Sequence, residues 1–91
     1  MSRATQDEKG KRYLRQMTVA HIREREGADH VDVVFLESAR FYRLFKENPA
    51  YDDALTLLRG ALADRAILEI GTPSIDSDII EEVHERRPGT L

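Results

Sequence analysis

The sequence predicts a small α+β domain whose elements follow in the order β-β-β-α-β-β. Three observations predict it. The segment at about 49–64 repeats its apolar residues with a helical period, and the segments on either side are short and rich in β-branched or aromatic residues. The whole chain has 91 residues, enough for one compact domain and too few for two. Strands on both sides of a lone amphipathic helix predict a small mixed or antiparallel sheet, or a partly open barrel, packed on that helix.

Each element has its own warrant. Residues 1–12 are polar and read as a flexible basic tail, 13–85 as a single α+β domain, and 86–91 as a frayed end. At 17–25, Thr18, Ala20 and Ile22 alternate with Val19 and His21, which favours a strand. A helix that aligns Tyr13, Met17 and Ala20 is the alternative. Gly27-Ala28-Asp29 turns the chain into Val31–Leu36, whose β-branched run predicts a strand with Val31, Val33 and Phe35 on one face. Phe41, Tyr42 and Phe45 tip 39–45 towards a strand, although a short helix capped by Ser38 fits the same residues.

Asn48-Pro49 then opens the helix, with Asn as N-cap and Pro at the first position. Asp52 and Asp53 suit the positive end of the helix dipole, and Arg59 and Arg65 suit its negative end. Gly60 weakens the helix interior unless it admits a close neighbour. Residues 66–70 and 79–83 read as the last two strands, joined by the loop-forming 71–78. The expected core is Ile22, Val33, Phe35, Phe41, Leu44, Leu55, Leu58, Leu62, Ile67, Leu68, Ile70 and Ile80. OB-type barrels share this order of elements, a likeness of order alone that carries no function.

Charge is unevenly spread. The chain's net charge of −3 combines an excess of basic residues in 1–26 with an excess of acids in 27–91. Lys9, Lys11, Arg12 and Arg15 follow one another with no acid between, whereas 66–85 contains acids and no Lys or Arg. Such asymmetry suits an interaction tail or a complementary pair of segments. The acidic remainder of the molecule disfavours nucleic acid.

Chemistry-bearing motifs are scarce. No cysteine is present, so no thiol nucleophile and no Cys-based zinc site can form. No serine lies in a G-x-S-x-G elbow, and neither a P-loop nor G-x-G-x-x-G occurs. His30-Val31-Asp32 places two potential ligands on one strand face, but a strand-end histidine beside a solvated aspartate explains the pattern more simply. Asp76-Ser77-Asp78 lacks the central glycine of a calcium loop. Arg40, Tyr42 and Arg43 combine aromatic faces with positive charge, as single-strand binding requires.

These readings lead to an expected non-enzymatic protein-interaction or regulatory module, with self-association as an option, and no metal or cofactor. The alternative is a small barrel that binds single-stranded nucleic acid. The residues expected to carry interaction are Lys9, Lys11, Arg12, Arg15, Arg40, Tyr42 and Arg43. The expected partner is another protein or a second copy, in the cytoplasm. No membrane span is expected, because the longest apolar run is Val33–Leu36.

Overall fold

A computed structural model describes residues 13–85. Its strands are β1 (Tyr13–Arg23), β2 (His30–Phe35), β3 (Phe41–Phe45), β4 (Ile67–Thr72) and β5 (Glu82–Glu85), with the helix α1 (Tyr51–Asp64) between β3 and β4. All pairings between strands are antiparallel, in the spatial order β3-β2-β1-β4-β5. Among the described residues the sheet does not close, and a single parallel bridge, Arg43 to Ile79, links β3 to the segment before β5. The expected basic tail and frayed end lie outside the described residues.

Both ambiguous segments are strands, and pairing explains why. β3 lies along β2 from Val34–Phe41 to His30–Phe45, so its aromatic residues gain partners that a one-turn helix would lack. β1 is shared. Its first half, Tyr13–Thr18, pairs with β4, and its second half pairs with β2. The change of partner coincides with a bulge between Val19 and His21. The extra residue shifts the alternation, so Val19 and Ile22 both serve the inner face although their numbers differ in parity.

The inner face is the core. Met17, Val19, Val31, Val33, Phe35, Tyr42, Leu44, Leu68, Ile70 and Ile80 are buried against Ala54, Leu55, Leu58 and Ala61 of α1. Leu58 is fully buried at the centre of the helix stripe. Burial of a side chain of that size contributes about 1.5–3 kcal/mol. Two expected core residues are corrected: Phe41 is 52% exposed and Ile67 36% exposed. Both lie on the outer face, as their partners Val34 and Thr18 require.

The ends of α1 also differ from expectation. The helix begins at Tyr51, two residues later than expected, with Ala50 at the N-cap and no side-chain cap. Asn48 instead accepts the Ala50 N–H at its side-chain oxygen (2.8 Å), and its amide donates to the Glu81 carbonyl (3.2 Å). It therefore ties the helix entry to the approach to β5. Arg65 terminates the helix in the left-handed conformation, φ 57°, and its backbone N–H reaches the Ala61 carbonyl. Arg59 does not serve the last turn; it pairs with Glu24 at 2.7 Å. A Cβ on Gly60 would meet nothing within 4 Å, so this glycine admits no close neighbour. Gly27, by contrast, has φ +83° in the turn closed by Ala28 N–H to the Arg25 carbonyl, a conformation that favours glycine. The last strand begins at Glu82 rather than 79, because Arg43 captures the 78–80 backbone first.

Candidate functional site

The polar chemistry of the described residues gathers on the outer face of β1, β2 and β3. Antiparallel register places His30 opposite Phe45, Asp32 opposite Arg43 and Arg23, and Val34 opposite Phe41 and His21. Arginines lie over the exposed rings: Arg23 is 6.0 Å from the Phe41 centroid and Arg43 is 5.7 Å from that of Phe45. Each such contact is worth about 0.5–1 kcal/mol at an exposed position.

His30 is the most constrained titratable group of this face. One ring nitrogen lies 2.9 Å from an Asp29 oxygen and the other lies 3.1 Å from an Asp32 oxygen. The ring also packs on Phe45, with centroids 5.4 Å apart. The bond from His30 holds the Asp29 carboxyl below its ordinary value. Asp32 is drawn on by Arg25 as well, at 3.5 Å. The sequence pattern His30-Val31-Asp32 thus becomes a real contact, but one in which the imidazole and its carboxylates are committed to each other. Among the described residues, no three His, Asp or Glu side chains are arranged to hold a metal ion.

Other residues singled out from the sequence are dispersed. Lys9, Lys11 and Arg12 lie outside the described residues. Arg15 points to the inner side, where it donates to the Tyr42 hydroxyl at 3.2 Å. Tyr42 is 1% exposed and meets Phe35 edge to face, centroids 5.3 Å apart. Arg40 donates to the Asp76 carbonyl at 2.9 Å. Arg43 pairs with Asp78 at 2.9 Å, and that bond holds the Asp78 carboxyl below its ordinary value. The structure therefore brings Arg40 and Arg43 together at the 76–78 turn and sends Tyr42 into the core.

Sequence reasoning missed Glu37. Its carboxylate accepts the Thr18 N–H (2.7 Å) and the Thr18 hydroxyl (2.8 Å), capping β1 where β2 ends. Burial pushes the Glu37 carboxyl up, but the two Thr18 bonds outweigh it and leave the group below its ordinary value. No spacing rule pairs residues so far apart. Missed as well was a shallow groove of about 550 Å³ beside the second half of α1, lined by Leu57, Gly60, Ala61, Asp64, Ile67 and Glu85 among others.

No family model and no curated protein matches the chain. Among solved structures, the chain is similar to pro-protein-glutaminase and to a mutant of that proenzyme. The TM-scores are 0.69 and 0.70, and the identities are 24% and 22%. Each alignment covers 86% of this chain but only 26% and 27% of the proenzyme chains, so the likeness spans about a quarter of their length. At this identity the likeness is one of fold.

It nevertheless overturns two expectations. A non-enzymatic protein-interaction or regulatory module was expected, and so was the absence of enzyme function. The neighbours of this fold are parts of an enzyme precursor. The single-strand-binding barrel falls with them, for a physical reason. Tyr42 has no face open to a base, and Arg40 and Arg43 already serve the 76–78 turn. Among the described residues, no helix is long and apolar enough to cross a membrane.

Proposed function

We propose that this chain works within an enzyme system of the protein-glutaminase kind, as one folded part of a longer precursor of that kind. The observation that carries the reading is the unequal coverage: the fold match takes in 86% of this chain and about a quarter of the proenzyme. The rest of such a proenzyme is then the partner this domain fits, which gives the expected protein partner a definite kind.

The test adds the purified chain to mature protein-glutaminase and follows ammonia release from a glutamine-containing protein. A dose-dependent loss of activity, saturating near one chain per enzyme, supports the reading. Undiminished activity at large molar excess overturns it. Ammonia release by the chain alone would place the chemistry in this chain.

A further inference from the structure

β1 is the longest strand, and β2 covers only part of it. Register pairs β2 with Val19 to Arg23, and the chain leaves the sheet at Leu36, whose N–H meets the Thr18 carbonyl at 2.9 Å. The Thr18 N–H points the same way and is taken by the Glu37 carboxylate. Backbone groups alternate sides along a strand, so those of Gln16 and Leu14 point in that direction too. Those of Tyr13, Arg15 and Met17 point to β4. The pairing of β4 with β5 agrees, since the Gly71 carbonyl, opposite Leu14, faces away and accepts the Glu81 N–H.

Among the described residues, the outward N–H and C=O groups of Leu14 and Gln16 have no backbone partner. Such a row is a template for one more strand. Its surroundings favour an occupant over plain solvent. Leu14 is 45% exposed on the outer side of this edge. On the inner side, Arg15 lies 5.8 Å from the Tyr13 ring centroid and donates to the Tyr42 hydroxyl. Its guanidinium retains donors for a carboxylate or amide on an incoming side chain. Glu37 closes the site at Thr18 and sets how far a partner can extend.

We propose that this edge of β1 receives an extended segment from the rest of such a precursor, which adds to the sheet beside Leu14 and Gln16. The proposal rests on the proenzyme reading above, and the remaining three quarters of such a chain supply the segment. Recognition is by main-chain ladder, with an apolar side chain against Leu14 and a polar one towards Arg15.

Amide exchange of the whole 91-residue chain, alone and saturated with mature protein-glutaminase, tests it. Leu14 and Gln16 should exchange quickly in the free chain and roughly tenfold or more slower in the complex, while Arg15 and Met17 stay protected in both. Gln16→Pro removes one outward donor and none directed at β4, and should weaken the complex about tenfold, whereas Gln16→Thr should bind as the unaltered chain does. If the proline variant fails to fold, exchange in the unaltered chain decides. A complex in which both amides still exchange quickly overturns the edge and leaves the proenzyme reading standing. Protection already present in the free chain overturns it too: independent of concentration, it assigns the edge to residues 1–12; rising with concentration, to a second copy. Absence of any complex overturns both proposals together.

Discussion

Replacing Tyr42 separates its packing from its hydroxyl, and the structure sets the size of each part. The ring is 1% exposed, wedged on the inner face beside Phe35, and its hydroxyl accepts the Arg15 bond at 3.2 Å. Tyr42→Ala removes the ring and leaves a cavity, which for aromatic residues costs about 3–5 kcal/mol. Tyr42→Phe keeps the ring and removes two hydrogen bonds: a long one given to Ser38 at 3.5 Å, and one from a charged donor, about 1.5–3 kcal/mol where the donor is buried. Arg15 is only half-buried and can turn to water, so a loss of about 1 kcal/mol is expected. The edge-to-face contact with Phe35 should appear as a coupling of about 0.5–1.5 kcal/mol in a cycle with Phe35→Leu. Urea unfolding followed by circular dichroism at 25 °C measures all three. A loss below about 1 kcal/mol for Tyr42→Ala would refute the placement of this ring in the core.

Three further outcomes follow from the same geometry. Leu58→Asp places an unpaired carboxylate at the fully buried centre of the helix stripe and should abolish cooperative unfolding, as a flat thermal scan would show. Acid should weaken the fold through Glu37 and Asp78. Both carboxyls titrate below their ordinary values when folded, so the unfolded chain binds more protons, and their contribution is lost as pH falls from about 4.5 through the lowered values. Glu37→Gln should flatten part of that loss, read as a smaller drop in Tm between neutral and acid buffer. Arg59→Ala should leave Tm nearly unchanged despite its 2.7 Å pair with Glu24, because both side chains are exposed.

Much of the fold was legible in the sequence, for local reasons. The helix declares itself through the spacing of Ala54, Leu55, Leu58 and Ala61, and β2 through Val31, Val33 and Phe35. What was not legible depends on distant partners. The bulge near Ala20 breaks the alternation that a sequence reader follows, which hid Met17 and Val19 from the expected core. Phe41 reads as core by its ring alone, but its face is set by pairing with Val34. Helix capping failed similarly: Asn48 has the chemistry of a cap, yet its side-chain oxygen is taken by the Ala50 N–H and its amide by the Glu81 carbonyl, and the helix starts later. Of the site, His30 and Asp32 were visible as a pair, whereas Asp29 closing the other side of the ring, and Glu37 on Thr18, emerged only from the folded backbone.

The divided strand has a consequence for how the chain is made. β2 and β3 follow β1 closely and can pair with each other and with its second half soon after synthesis. The first half of β1 must wait, because Tyr13 pairs with Thr72 and Thr18 with Ile67, beyond the whole helix. Such non-local pairing is slow to form, since the intervening chain must be ordered first. A nascent chain cut short before β4 would therefore hold a finished meander with the first half of β1 unpaired and Met17 uncovered, open to chaperones and to misassembly. Completion of this domain is a late event, timed by the emergence of β4 and then of Ile80 and β5, rather than by the strand with which the sheet begins.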